Sequence, residues 1–177
     1  MGRKRNRYGV LLRIVGAVSV NLDTHTATGG DAAGDKLHEI ENLSGSAHHD
    51  TLVGDENDNI LNGKGGTDTL TGNDGADTFV FSPSETGLAR LADRILDFSQ
   101  ADGDLIDVKA VGHKFGVDSL TCTFIGDDAF SGQAGELRFA QSGATTWVSC
   151  DVDGDAAADF QILCTGTINF TANDFLL

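Results

Sequence analysis

A chain of 177 residues with a formal net charge of −15, and with 22 aspartates against 5 glutamates, repels nucleic acid and anionic polysaccharide and attracts cations. A single proline among 23 glycines suits short strands and turns rather than a disordered tail, in one domain or one coil continuous with a second sheet. Three cysteines, Cys122, Cys150 and Cys164, set no disulfide framework; they read as buried thiols, the alternative being one bridge from Cys150 to Cys164 with an odd thiol left over.

Residues 1–17 are a basic, then apolar extension. Arg3, Lys4, Arg5, Arg7 and Arg13 all precede the first acid, Asp23. The segment imitates a secretory leader, but Arg13 interrupts its apolar run and no clear small-x-small cleavage site follows. It is too short to span a membrane. Val18, Val20 and Leu22 alternate and predict a strand. From Asn21 to Ser44, Thr28-Gly29-Gly30-Asp31 and Gly34-Asp35 read as worn turns, with Leu43 in a capping rung nine residues before Leu52. His38-Glu39 begins a near miss to H-E-x-x-H, but position 42 is Asn and the surroundings are not helical, so no zinc protease site is expected. His48-His49 reads as loop surface.

Gly45 to Val80 repeats every nine residues: GSAHHDTLV, GDENDNILN, GKGGTDTLT, GNDGADTFV. Position one is Gly45, Gly54, Gly63 and Gly72; position six is Asp50, Asn59, Asp68 and Asp77; position eight is Leu52, Leu61, Leu70 and Phe79. Nine residues make two and a half helical turns, so a helix would point Leu52 and Leu61 in opposite directions. A strand–turn unit fits instead. The last three residues of each unit form a short strand whose middle side chain points inward, and the first six supply turn chemistry. Successive strands then stack on alternate sides of a flattened coil, placing Asp50 over Asp68 and Asn59 over Asp77. One apolar side chain per nine residues is a thin core for so many glycines, and stacked carboxylates repel. A hard cation with oxygen ligands relieves both problems. Ca²⁺ suits such a site, and its binding free energy becomes folding free energy.

After the repeats, Asp93 to Phe98 and Asp102 to Val108 read as strands around an acidic turn. Asp97, Asp102, Asp104 and Asp107 there either hold a further Ca²⁺ or cap the turn. Glu136 to Gln141, Thr145 to Val152 and Phe160 to Thr165 predict a three-stranded meander whose core is Phe139, Trp147 and Phe160. The acidic turn from Asp151 to Asp159 places carboxylates at positions 1, 3, 5 and 9. Its glycine stands at position 4, and Ile162 at position 12, so it is not an EF-hand.

The repeats resemble the RTX repeats of secreted bacterial proteins, G-G-x-G-x-D-x-U-x. The match is clearest at Gly63, Gly66, Asp68 and Leu70 and at Gly72, Gly75, Asp77 and Phe79; His48, Asn57 and Asn59 depart from it. Beyond the repeats, D-x-I-x-D-F around Asp97, G-D-x-I-D around Asp104, the acidic hairpin and the closing Asp174-Phe175-Leu176-Leu177 resemble the C-terminal domain of serralysin-type proteases. The resemblance implies an all-β chain: a parallel β-roll over 18–81 continuing into a C-terminal antiparallel β-sandwich or meander over 82–177, which ends in a type I secretion signal. It implies Ca²⁺ held at Asp50, Asn59, Gly63, Gly66, Asp68, Gly72, Gly75 and Asp77, and extended to Asp97 and Asp104. With 44 residues before the repeats and no nucleophile–base pair or phosphate loop, no catalysis is expected. The expected function is a secreted, calcium-binding module that folds on Ca²⁺ after type I export. The alternatives are the C-terminal part of a larger secreted enzyme, a metalloprotease or an alginate epimerase, and a module that binds a glycan or cell surface.

Overall fold

The computed structural model describes residues 16–81, 92–111 and 121–177. The expected Ser/Pro/Glu turn after Phe81 and the basic start lie outside them. The described residues hold fourteen short strands and two 3₁₀ turns, Gly30–Ala32 and Ala172–Asp174.

β1 (Ser19–Asn21) and β2 (Thr26–Thr28) form an antiparallel cap, with Val18, Val20 and Leu22 buried as their alternation requires. β3 (Asn42–Ser44) precedes the four repeat strands β4 (Thr51–Val53), β5 (Ile60–Asn62), β6 (Thr69–Thr71) and β7 (Thr78–Val80). Each strand pairs in parallel with the one two places on. Leu52 faces Leu70 in one sheet, while Leu43 faces Leu61 and Leu61 faces Phe79 in the other. This is the flattened coil that a nine-residue period dictates, because half a turn per unit returns every second strand to the same sheet. Leu52, Leu61, Leu70 and Phe79 are fully buried between the sheets.

The coil runs on beyond the regular repeats. β8 (Asp93–Ile95) continues the first ladder, Leu70 facing Ile95, and β9 (Leu105–Asp107) continues the second, Phe79 facing Ile106. The nine-residue period has lapsed there, but Asp93-Arg94-Ile95 and Asp104-Leu105-Ile106 keep the repeat's acid-x-apolar ending.

β10 (Thr123–Phe124), β11 (Glu136–Ser142), β12 (Thr145–Asp151) and β13 (Phe160–Thr165) follow. The meander β11–β12–β13 is antiparallel and joins the roll edge-on: β13 lies parallel to β8, completing a nine-stranded sheet. β14 (Phe175–Leu176) lies beside β9 and closes the five-stranded sheet. Phe98 from the roll meets Phe170 at 5.0 Å between ring centroids, and Phe170 meets Phe175 at 5.3 Å, so aromatic packing ties the chain end to the coil.

One expectation needs correction, while the three cysteines are buried free thiols, as expected, and the alternative bridge falls. Phe160 is buried, but Trp147 and Phe139 are only half-buried. Thr146, Val148 and Cys150 take the inward positions of β12, and alternation turns Trp147 to the other face. Cys150 and Cys164 cannot be bridged: Cys150 faces Phe160 while Cys164 faces Thr146. That is four residues along the ladder, or roughly 13 Å at ~3.3 Å per residue.

Candidate metal centre

The position-six side chains lie in two buried columns. Asp50, Asp68 and Asp93 form one; Asn59, Asp77 and Asp104 form the other, none more than 2% exposed. Each column is threaded by backbone amides. Val18 N–H donates to Asp50 Oδ1 at 2.7 Å, Asp50 N–H to Asp68 Oδ1 at 2.8 Å, and Asp68 N–H to Asp93 Oδ1 at 2.8 Å. On the other side Asn59 N–H donates to Asp77 Oδ1 at 2.8 Å, and Asp77 N–H to Asp104 Oδ1 at 2.9 Å. Each column thus satisfies the donors left where a strand begins. Reasoning from the nine-residue period missed Asp93; its acid-x-apolar context was the available signal.

The glycine columns follow from the same stacking. A methyl at Gly45, Gly54, Gly63 or Gly72 would overlap the position-six side chain of its own turn. Gly66 and Gly75 have φ of +122° and +109°, and a methyl there would strike the backbone of His48 and Asn57, eighteen residues earlier. His48 and Asn57 are the floor on which the later turns rest, which is why glycine at position four begins only with the third unit.

The turns are of two kinds. In the first two, the position-two residue caps position six. The Ser46 amide donates to Asp50 Oδ2 and the Ser46 hydroxyl to Asp50 Oδ1. The Asp55 amide donates to Asn59 Oδ1 at 2.7 Å. In the third and fourth, Lys64 and Asn73 adopt φ of +67° and +71°. Their amides turn elsewhere, Lys64 to Asn62 Oδ1 at 2.9 Å and Asn73 to Asp97 Oδ2 at 2.8 Å.

One consequence stands out at the fourth turn. Asp77 is fully buried, and its Oδ2 has no hydrogen-bond partner among the described residues. Desolvation lifts its pKa from 3.8 to about 7, opposed by the Asn59 amide and reinforced by the charges of Asp104, Asp97 and Asp58. Asp104 is also raised, chiefly by burial, although the amides of Ser99 and Asp77 oppose the shift. Asp97 accepts from Gly72 N–H at 2.9 Å as well as from Asn73, and Asp104 Oδ2 accepts from Ser99 N–H at 2.8 Å. Asp97 and Asp104 therefore clamp the turn at 97–104 against the turn at 72–77, and both act on the charge of Asp77. Asp102 lies exposed, and Asp107 caps Lys109 at 3.0 Å. A buried, unsatisfied anionic oxygen among carboxylates fits a hard divalent cation; the donor set is all oxygen, as Ca²⁺ requires.

The hairpin between β12 and β13 also gathers carboxylates, Asp151, Asp153 and Asp159, with ligand atoms within 4.8 Å of one another. Their oxygens are engaged by the loop itself. Asp151 accepts from Gly154 and Ala156 amides at 2.7 and 2.9 Å, and Asp159 from Val152 at 2.8 Å. The chain end is fastened close to the candidate centre: Gln100, in the turn at 97–104, donates to Asp174 Oδ2 at 2.7 Å. Among the described residues no helix is long and apolar enough to cross a membrane.

Comparison with known proteins agrees with this architecture. The R2 module of a mannuronan C5-epimerase from Azotobacter vinelandii (AlgE6) is 26% identical, covering 76% of this chain and 79% of that one with a TM-score of 0.51. The R3 module of the same enzyme is 24% identical over 76% of each chain, with a TM-score of 0.45. No individually curated protein matches the chain. The sequence profile of the peptidase M10 serralysin C-terminal family matches residues 31–177, and the chain belongs to that family of RTX-type repeat domains.

Proposed function

We propose that this chain is a calcium-responsive folding and export module, non-catalytic in itself, that serves a secreted protein. One observation carries this: the Asp77 Oδ2 oxygen, buried between two acidic turns and without a hydrogen-bond partner among the described residues. Ca²⁺ would supply the positive charge and flexible oxygen coordination that this carboxylate lacks. Asp77, Asp97 and Asp104 would hold it in the fourth turn, and Asp68 and Asp93, which occupy the corresponding rungs of the other column, would serve the third. Asp50 and Asn59 stand differently. Ser46 and Asp55 already donate to them, so the first two turns hold their own shape and act as a floor for the metal-dependent ones.

The chain is then poised between two states. Without metal, the desolvated carboxylates and the charge of −15 oppose compaction. With metal, binding adds ~2.7 kcal/mol per site at a hundred times the dissociation constant. In the proposed cycle the module stays open in the low-calcium cytoplasm, is drawn out by the type I secretion machinery, and closes outside. Because the family is the C-terminal part of serralysin peptidases, the natural cargo is a catalytic domain preceding the repeats. Isothermal titration with Ca²⁺ tests the metal step. Binding that is lost in Asp77→Asn and retained in Asp50→Asn supports it; an absence of heat with wild-type protein rejects it.

A further inference from the structure

The cap of the coil brings two histidines together. His25 lies in the turn of the β1–β2 hairpin, where its amide donates to the Leu22 carbonyl at 3.2 Å and the Thr24 amide donates to Asn21 Oδ1 at 2.7 Å. Its φ is +56°, a conformation that histidine enters more readily than most residues. His38 directly follows Leu37, which is buried in the core and anchors the backbone there. The two rings meet edge to face with 5.4 Å between centroids, and both side chains are exposed to solvent.

His25 Nδ1 lies 3.3 Å from the Asp23 carbonyl oxygen, which can only accept. In the neutral ring Nδ1 therefore carries the proton and Nε2 keeps its lone pair, the arrangement by which a backbone carbonyl orients a metal-binding imidazole. His38 hydrogen-bonds to none of the described residues. The Asp55 carboxylate interacts electrostatically with His25 and adds negative potential at this end of the coil. The ring spacing fits one shared ion. With a zinc–nitrogen bond of ~2.1 Å, and a ring nitrogen ~1.15 Å from its centroid, two imidazoles on a tetrahedral ion stand roughly 5.2 Å apart. The neighbouring His48-His49 pair is differently employed: His49 Nδ1 accepts the Thr67 amide at 2.7 Å, so that lone pair is spent.

We propose that His25 and His38 form a binding site for one divalent transition-metal ion of the zinc class, with water completing its coordination. Imidazole nitrogen favours such ions, whereas the all-oxygen turns favour calcium. The ion would staple the β1–β2 hairpin to the segment that leads into β3. His38 takes its partner from an upstream turn, not from a helical H-E-x-x-H pair, so the site carries no proteolytic chemistry.

The test uses the full, untagged chain in excess Ca²⁺ at neutral pH. Zn²⁺ is titrated in by calorimetry while the histidine ring nitrogens are followed by ¹H–¹⁵N NMR. One Zn²⁺ per chain, with His25 Nε2 and a ring nitrogen of His38 shifting together, is expected. His25→Asn, whose side chain tolerates the same backbone conformation, and His38→Gln should each weaken binding by more than the ~10-fold that loss of an orienting partner alone costs. The double variant His48→Gln/His49→Gln should bind as wild type does. Circular dichroism in Ca²⁺ checks that each variant is folded. Zn²⁺ binding that survives His25→Asn belongs to carboxylates and would overturn the proposal, as would an absence of binding or a loss confined to the double variant. Zinc titration reads the cap and calcium titration reads the later turns, so either idea fails on its own evidence.

Discussion

Asp77→Asn separates the two effects of one carboxylate. In the metal-free fold Asp77 is fully buried and its pKa stands about three units above that of an ordinary aspartate, 3.8 against about 7. At 1.36 kcal/mol per unit the penalty for ionising it reaches ~4 kcal/mol, and water entering the turn lowers it toward ~2 kcal/mol. The sign follows from proton linkage. The folded state holds this proton more tightly than the unfolded state. Metal-free stability therefore falls as pH rises from about 4 to about 7 and levels off above. Asparagine removes the charge and keeps the shape, and it already occupies the equivalent position in Asn59. In EDTA at pH 8, with an excluded osmolyte added to both proteins so that the metal-free fold is populated, the variant should melt roughly 5–15 °C above wild type, at ~2–4 °C per kcal/mol for a chain of this length. In Ca²⁺ the order should reverse, because the variant has lost its ligand. Far-UV circular dichroism melts in both buffers read this. A variant that melts below wild type in EDTA and keeps the full calcium shift would refute the reasoning.

Other outcomes are equally specific. Asp50→Asn should keep the calcium stoichiometry while losing ~1–3 kcal/mol in denaturant titration, because an amide set against the inward-facing Ser46 N–H leaves a buried donor unsatisfied. Gly72→Ala should abolish the calcium-induced melting shift, since its methyl would occupy the space of Asp77 Oδ2. Phe79→Ala should cost ~3–5 kcal/mol by urea unfolding with calcium present, because the ring is fully buried between the two sheets. Cys164, whose thiol is pushed up to about 12 by burial, should resist a thiol reagent at pH 8 in calcium and react once EDTA and urea open the sheet.

Much of the roll was legible because its period is covalent. A nine-residue repeat fixes which residue faces inward, and Leu52, Leu61, Leu70 and Phe79 could go nowhere else. The meander was legible from alternation, yet the face taken by Trp147 was not. Its neighbours on both sides are apolar or small, so period two does not say which set turns inward; packing against the roll decides it. Asp93 escaped because the period breaks between 81 and 92, although the role of the residue survives. The difference between the early and late turns lies in backbone dihedrals at Ser46, Asp55, Lys64 and Asn73. Residue type only hints at those: a serine hydroxyl or an aspartate favours a capped turn, and an asparagine tolerates the left-handed region. The His25–His38 contact joins a hairpin turn to a later segment, which no local pattern encodes.

The central claim is that calcium completes this fold. Its most direct test is far-UV circular dichroism of the whole chain during a calcium titration from EDTA, with magnesium as control. A cooperative gain of β signal with calcium alone, absent or weakened in Asp77→Asn, is the predicted result. A wild-type chain that is fully folded in EDTA and unchanged by calcium would contradict the claim and leave the acidic turns as structure without a metal.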